Sequence, residues 1–428
     1  MAGIDGPNSG LRKVGRQAMN ALPRLLLPTP RAFWHLSPMA ARRRRDAYEL
    51  AEIPHPRPTP RVLAEVIADE LMLELFAAGR LTHALRERER VGAEMVDAIA
   101  MYDQRGWLAE PVGYHRSPRI PDVRLRGLTL QAGKARKWEC LTFDSDWLPY
   151  PGEPGRDRWE QEEPNQTARV YVLRRKGPRP WVICLHGFGM GRPAMDRMLF
   201  RAASLHRELG FNVAMPILPL HGSRRSVAKP RREVPTADAM DNVHGLAQAT
   251  WDVRCLLAWL RRQGATGLGL YGISLGGYVA ALTAGLEEAL DCVVVGIPVA
   301  DFPTLFDDQA PGMLRRQPWH NGHMAAMTQV HQVVSPLRFV PETPRPRLHM
   351  YAGKADRLLD PLHQAGALWQ HWNRPHAHWF DGGHVAHVRS GDVNAFALAA
   401  LRADVCTAPL AANAPAECGV PTEVSDGR

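Results

Sequence analysis

Apolar residues follow a new rhythm from about residue 168 onward. Short apolar runs such as Val293-Val294-Val295 alternate there with longer stretches in which apolar residues recur at helical spacing. The predicted strands cover residues 169–173, 181–185, 212–216, 269–271, 292–297, 348–351 and 376–380, with an earlier one at 138–143. The predicted helices cover residues 192–209, 247–262, 277–290, 362–372 and 392–401. This alternation predicts the α/β class, with a mostly parallel sheet and helices on both faces.

The chain before this region has a different organisation. Residues 61–106 predict two helices, of which the first has an apolar face with Val62 and Val66 and ends at Gly79. We divide the chain into a basic Pro/Arg-rich N-terminal segment (1–60), a helical N-terminal extension (61–130), an α/β domain (131–404) and a flexible C-terminal tail (405–428).

Residues 301–340 interrupt the rhythm and predict a cap insertion over one edge of the sheet. Phe302 and Trp319 are candidates for an apolar pocket that binds an acyl group. Most of the other apolar residues of this insertion are expected to bury the cap on the core.

Positive charge is concentrated at the N-terminus. The chain has 53 Lys and Arg against 44 Asp and Glu, and nine of the basic residues lie between Gly6 and Arg45, where no acidic residue occurs. The rest is formally neutral, so we expect no nucleic-acid binding by the folded body. No run approaches the roughly 18 apolar residues of a membrane-spanning helix, and the six cysteines form no Cys-x-x-Cys pair. We expect a soluble protein of the reducing cytoplasm.

The basic segment has two interpretations. A weak peripheral contact of residues 11–45 with an anionic membrane is one, because apolar residues recur at roughly helical spacing among basic ones and Phe33 and Trp34 follow. A solvated, disordered tail is the other, since Pro23 and Pro28 restrict the helix to a length that is unstable alone in water.

The motif Gly272-Ile273-Ser274-Leu275-Gly276 follows a predicted strand and precedes a predicted helix. This placement is typical of a nucleophile elbow, in which a serine lies on a strained turn and the glycines allow the backbone to pass closely. Ser274 is therefore the candidate nucleophile.

A second loop, His186-Gly187-Phe188-Gly189, follows the predicted strand 181–185. A tetrahedral oxyanion needs two N–H donors. We expect them to be the main-chain amides of Leu275 and Phe188. An ordinary glycine-rich turn is the alternative interpretation of this loop.

With these two motifs, Gly353-Lys354-Ala355-Asp356 and Gly382-Gly383-His384, the chain from about 168 to 402 resembles an α/β-hydrolase. Residues 181–192, 219–222 and 153–155 resemble uncharacterised actinobacterial hydrolase-like proteins more narrowly. The resemblance implies the α/β-hydrolase fold and a catalytic triad, and it supplies no substrate.

The order Ser274, Asp356, His384 is the order this fold uses, and each residue follows a predicted strand. A serine hydroxyl needs an imidazole base, and the base needs an orienting carboxylate. Asp301 and Asp360 remain alternative acids, and His387 remains an alternative base.

These residues predict a serine hydrolase that cleaves a carboxylic ester, either a small molecule or a lipid, through an acyl-enzyme. His186 and His221 are further candidates to line the site, with Phe302 and Trp319. We expect neither a metal nor a cofactor. An acyltransferase with the same triad and a non-catalytic binding protein of the same fold remain open.

Overall fold

The computed structural model describes residues 28–129, 137–229 and 232–405. Nine strands of this part of the chain form one sheet in the spatial order β1-β2-β3-β5-β4-β6-β7-β8-β9. They are β1 Arg124–Thr129, β2 Lys137–Asp144, β3 Thr167–Leu173, β4 Trp181–Leu185, β5 Asn212–Pro216, β6 Leu268–Ile273, β7 Cys292–Gly296, β8 Leu348–Gly353 and β9 His376–Phe380.

The sheet is parallel from β5 to β9, while β1, β2 and β3 pair antiparallel with their neighbours. The loops after β4, β6, β8 and β9 therefore open at the same edge of the sheet. Every predicted strand is present, and β1 is an additional edge strand that the sequence pattern does not indicate.

Helices cover both faces of the sheet. They are α1 Pro28–Leu36, α2 Pro38–Leu50, α3 Pro60–Gln104, α4 Arg156–Glu160, α5 Pro193–Leu199, α6 Ala202–Arg207, α7 Ala239–Arg262, α8 Leu275–Ala284, α9 Phe302–Gln309, α10 Gly312–Arg315, α11 His320–His331, α12 Ala367–His371 and α13 Gly391–Val405. Alternate residues of β4 belong to opposite cores, with Ile183 and Leu185 on one face and Val182 and Cys184 on the other. The predicted α/β architecture is confirmed.

The region predicted as two helices is one continuous helix, α3. Thr59 caps its start by accepting the N–H of Val62 at 3.2 Å. The predicted end at Gly79 is wrong, because an isolated glycine costs only about 1 kcal/mol of helix stability and tertiary packing outweighs it. Beyond that glycine, Val91 and Met95 are buried in the main core and hold the helix to the sheet domain.

Within residues 28–59, the described part of the chain before α3, two helices are present where the sequence pattern assigns none. Ala32 of α1 packs with Val62 and Val66 of α3, and this contact stabilises a helix too short to persist alone. The amphipathic pattern over residues 11–25 and the predicted tail beyond residue 405 lie outside the described residues.

The predicted helix over 192–209 is two short helices, because Arg201 between them adopts a φ of 46°. The insertion 301–340 folds as α9, α10 and α11, and α11 packs against α3 and α7. Within the described ranges, no helix has both the length and the apolar character that crossing a membrane requires.

Candidate active site

Ser274 lies in the turn between β6 and α8 with φ 56° and ψ −115°, a conformation that costs energy for any residue with a side chain. The turn closes because the residues two positions before and two positions after Ser274 are glycines. A Cβ on Gly276 would overlap the carbonyl of Leu185, and one on Gly272 would overlap the carbonyl of Gly276. The Ser274 N–H donates to the carbonyl of Gly296 at 2.9 Å, which fixes the turn against β7.

Asp356 and His384 meet across the loops that follow β8 and β9. The Nδ1 of His384 lies 2.7 Å from Oδ2 of Asp356, and both side chains are buried. The other oxygen of Asp356 accepts the N–H of Leu359 at 2.8 Å. Since Asp356 holds the proton on Nδ1, Nε2 of His384 is left as the basic nitrogen.

Burial alone would lower the pKa of His384. The negative charge of Asp356 and its hydrogen bond outweigh that effect, and the charge of Asp69 adds to them, so the pKa is raised above 6.5. Among the described residues no hydrogen bond joins the Ser274 hydroxyl to His384. In unliganded sites such a bond is often long and tightens only with substrate.

The alternative acids have other partners. Asp301 caps α9, since its Oδ1 accepts the N–H of Thr304 at 3.1 Å. Asp360 accepts the N–H of Leu362 at 2.9 Å, in the turn that leads to α12. Both carboxylates therefore organise helix starts.

The alternative base, His387, is also engaged elsewhere. The Nδ1 of His387 lies 2.7 Å from the carbonyl oxygen of His384. Burial lowers the pKa of His387 to about 4, which makes it a neutral group that supports the turn after the candidate base.

The loop after β4 lies against the elbow. A side chain at Gly187 would come 3.5 Å from Cβ of Ser274. Leu275 is the first residue of α8, where a helix offers no carbonyl to the main-chain N–H. The two predicted oxyanion donors, Phe188 and Leu275, therefore belong to the two segments that flank Ser274, and their role stays a prediction.

Comparison with known proteins agrees with this arrangement of strands and loops. Residues 162–300 match the family model "Alpha/beta hydrolase domain containing 18". Over 391 residues the chain is 38% identical to Uncharacterized protein MT2702 of Mycobacterium tuberculosis (strain CDC 1551 / Oshkosh). The matched part is 90% of this chain and 93% of that protein. The chain belongs to the α/β-hydrolase superfamily. Uncharacterized protein Rv2627c of Mycobacterium tuberculosis (strain ATCC 25618 / H37Rv) matches this α/β-hydrolase with the same identity and coverage.

Solved structures of low sequence identity are also similar to this α/β-hydrolase. An acetyl xylan esterase from Paenibacillus sp. R4 has a TM-score of 0.46 at 17% identity, over 67% of this chain and 89% of that one. Acetyl Xylan Esterase 1 from Thermoanaerobacterium sp. JW/SL YS485 has a TM-score of 0.44 at 16% identity, over 66% and 88%. At these TM-scores the likenesses carry no argument about substrate.

The two histidines predicted to line the site of this α/β-hydrolase are fully buried. His186 has its Nδ1 2.8 Å from the carbonyl oxygen of Gly187 and accepts the N–H of Leu218 on Nε2 at 3.1 Å. Both nitrogens are occupied by the backbone, so His186 braces the loop and has no polar atom left for a substrate. His221 has its Nδ1 2.9 Å from the carbonyl oxygen of Pro219, while its Nε2 is buried without a partner.

The two cap residues are placed differently. Phe302 is buried, with its ring 4.8 Å from that of Tyr278 and 6.1 Å from that of Phe306. It therefore packs the cap onto α8. Trp319 lines a cavity of about 700 Å³ between α3 and the cap, and the guanidinium of Arg88 lies 5.0 Å from its ring centre.

This cavity is lined by apolar side chains and also by many charged ones, among them Arg31, Glu70 and Asp360. Arg357 and Leu358, the two residues after Asp356, form part of its lining. The apolar part of the wall comes mainly from α3 and the cap: Leu73, Leu305, Phe306, Trp319, Met324 and Met327.

Asp69 of α3 is a residue of the site that the sequence pattern did not single out. It is fully buried and accepts the main-chain N–H groups of His384 at 2.7 Å, Val385 at 3.1 Å and Arg357 at 3.1 Å. A signal was present, because Asp69 follows Val62 and Val66 at helical spacing and so interrupts the predicted apolar face of α3 with a carboxylate.

One group of described residues has the composition of a metal site. The ligand atoms of Cys292, His349 and Asp404 lie within 4.8 Å of one another. Cys292 and His349 stand at the starts of β7 and β8, at the sheet edge opposite Ser274. The group therefore lies apart from the candidate active site.

Proposed function

We propose that this α/β-hydrolase cleaves a carboxylic ester through an acyl-enzyme, with Ser274 as nucleophile, His384 as base and Asp356 as its orienting carboxylate. The observation that carries the proposal is the 2.7 Å contact between Asp356 and His384 at the edge where the strained Ser274 turn opens. In a catalytic triad the serine hydroxyl becomes nucleophilic through an imidazole base that a carboxylate orients.

The proposed reaction gives each of these residues one role. Ser274 Oγ attacks the ester carbonyl carbon while Nε2 of His384 takes the hydroxyl proton, and Asp356 stabilises the imidazolium that results. The main-chain amides of Phe188 and Leu275 would hold the oxyanion of the tetrahedral intermediate. Collapse of that intermediate expels the alcohol, which receives the proton from His384. Water then repeats the two steps and releases the acid.

The raised pKa of His384 sets the acid limb of this reaction. Attack requires neutral His384, so kcat/KM falls as pH decreases through a pKa above 6.5. The same raised pKa favours the imidazolium, which is the form that must donate a proton to the leaving alcohol.

In this proposal the acyl group of the substrate enters the cavity between α3 and the cap, whose lining includes Arg357 and Leu358 but not Ser274 or His384. Its volume of about 700 Å³ lies within the range of pockets that bind small ligands. Trp319 and Met324 provide apolar surface at this cavity. Leu358, the second residue after Asp356, also lines it.

Two measurements on the same variants test the proposal. Purified protein is incubated with p-nitrophenyl esters of graded chain length and, separately, with a fluorophosphonate probe. We expect turnover and labelling of the wild type and at least a ~1000-fold loss of turnover in Ser274→Ala. Ser204→Ala on α6 is the matched control and should behave as the wild type.

Each other outcome points to a different function. Probe labelling of Ser274→Ala at the wild-type rate would refute the nucleophile. Conversion of the ester into a new ester when an alcohol is added in excess would indicate an acyltransferase. A folded wild type that binds an ester without turnover or labelling would indicate a non-catalytic binding protein.

A further inference from the structure

Asp69 joins the N-terminal extension to both loops of the candidate triad. Its Oδ2 accepts the N–H of His384 and the N–H of Arg357, which directly follows Asp356, and its Oδ1 accepts the N–H of Val385. The Arg357 guanidinium does not neutralise it, because that group pairs with Glu70 at 2.7 Å. All of the hydrogen bonds that Asp69 accepts are therefore used on the main chain of the two loops.

The glycines before His384 fit this contact. A Cβ on Gly383 would lie 2.5 Å from Oδ2 and 3.0 Å from Cγ of Asp69, and one on Gly382 would lie 2.8 Å from Oε2 of Glu65. Neither glycine has a positive φ. Gly383 and Gly382 are thus needed for the close approach of α3, since any side chain would separate the helix from the loop.

Two carboxylates consequently contact His384, one at its ring and one at its main chain. Asp356 contacts the Nδ1 of His384, and Asp69 contacts its main-chain N–H. Burial and then the charge of Asp356 raise the pKa of Asp69 to about 7, while the charge of Asp69 raises the pKa of His384. His387 is the other titratable group beside the ring, with ring centres 6.3 Å apart.

The charged groups at the edge of this cluster have their own partners. Lys354 pairs with Asp381 at 3.1 Å, and Glu65 pairs with Arg61 at 2.9 Å. The negative charge that acts on the imidazole is therefore that of Asp356 and Asp69.

We propose that Asp69 is a positioning residue of the triad: it fixes the loops of His384 and Asp356 through their main-chain N–H groups, and its charge favours the imidazolium. This inference rests on the proposed function of Ser274. It assigns a role in catalysis to a residue of the N-terminal extension, which lies outside the α/β domain.

The test compares Asp69→Asn and Asp69→Ala with the wild type. Glu94→Gln, which removes the charge of a different carboxylate of α3, one that pairs with Arg158, is the matched control. For Asp69→Ala we expect kcat on a short p-nitrophenyl ester to fall at least ~10-fold with KM changed less than ~2-fold, because three N–H groups lose their acceptor. Asp69→Asn keeps an acceptor oxygen and should recover part of that loss.

The pH profile separates positioning from stability. Where Asp69 is ionised, its charge raises the pKa of His384, so the acid limb of kcat/KM should move to lower pH in Asp69→Asn. The shift is smaller than a permanently charged group would give, because Asp69 itself has a pKa of about 7. Gly383→Ala, which leaves Asp69 in the chain but forces it away from the loop, should move the limb in the same direction. An unchanged limb in both variants, with kcat like that of Glu94→Gln, would overturn the proposal.

A titration that needs no turnover distinguishes this inference from the proposed function. The imidazole of His384 is followed by NMR against pH, with His384→Gln to assign its signal. A wild type that is neither labelled nor active would refute the ester hydrolase, yet a lower pKa of His384 in Asp69→Asn would still support the electrostatic role of Asp69. An unchanged pKa would refute that role.

Discussion

Asp196 stands in the first turn of α5, beside the loop that carries Phe188. It is buried and its Oδ1 accepts the N–H of Gly191 at 3.3 Å. Burial raises its pKa from 3.8 to about 7, and the main-chain N–H groups of Gly191 and Arg192 only partly oppose this. The folded state therefore holds a proton here that the unfolded state releases near pH 4.

Replacing Asp196 with Asn should make the protein more stable at neutral pH. Because the pKa is higher in the folded state, the wild type loses stability as pH rises from about 4 to about 7, and the loss stays constant above that. The neutral amide of Asp196→Asn has no such loss. The free energy of unfolding of the variant minus that of the wild type should therefore grow by roughly 2–4 kcal/mol between about pH 4 and about pH 7. Urea unfolding of both proteins at pH 4, 5.5, 7 and 8 measures it. A difference that does not change with pH would show that Asp196 has an ordinary pKa.

The common sheet edge of Ser274, Asp356 and His384 could be predicted because each follows a strand of the parallel part of the sheet, and parallel strands bring their carboxyl ends to one edge. The importance of Asp69 could not, because its partners lie about three hundred residues further along the chain: the separation from His384 is 315. The local sequence pattern indicates that a carboxylate lies on an apolar helix face, but it does not indicate which residues that carboxylate contacts.

Among the elements, the cap and α3 together enclose the cavity. Leu305 and Phe306 come from α9, Met324 and Met327 from α11, and Leu73 from α3. Since the walls belong to elements distant in sequence, the size of the cavity depends on how the cap packs against the N-terminal extension.

Filling this cavity should shorten the preferred acyl chain. Met324→Trp adds volume at the cavity wall, so we expect kcat/KM for p-nitrophenyl decanoate to fall at least ~10-fold while that for the acetate changes less than ~2-fold. Met313→Trp on α10 is the control, because Met313 is 60% exposed and does not line the cavity. An equal effect of Met324→Trp on both esters would show that the acyl group binds elsewhere.

Element types were easier to predict than element ends. The apolar runs identified the strands because burial on both faces imposes a continuous pattern. The long helix α3 and the short helix α1 depend on tertiary contacts, such as that of Ala32 with Val66, which periodicity does not contain. Gly79 shows why helix ends are hard to predict. Glycine often ends a helix, but α3 continues through Gly79 because packing on both sides stabilises it.

At the scale of the whole molecule, the positive charge lies on one end of the chain. Helix α1 presents Phe33 and Trp34 at 57% and 49% exposure, and its buried face, with Ala32, is turned toward α3. We propose that this outward face and the basic residues near it contact anionic membranes weakly, which would bring the hydrolase to a lipid substrate.

Replacing both aromatic residues should weaken such binding without removing α1. We expect co-sedimentation of Phe33→Ser/Trp34→Ser with anionic phosphatidylserine vesicles to be about 30-fold weaker at low salt, because the two half-exposed rings contribute about 1 kcal/mol each on burial. Vesicles of phosphatidylcholine alone and high salt are the controls. Equal sedimentation of the variant and the wild type would end this proposal.

The hydrogen bond between Asp69 and His384 also has a consequence for synthesis on the ribosome. The two residues are 315 positions apart. At 5–20 residues per second, Asp69 waits about 16 to 63 seconds before His384 is translated. During that interval the loops after β8 and β9, which contact Asp69 in the folded protein, have not yet both been synthesised. Asp69 and the nearby Val62 and Val66 of α3 therefore lack that cover. The loops after β8 and β9 should therefore acquire their final geometry only after residue 384 has been translated and His384 has reached Asp69.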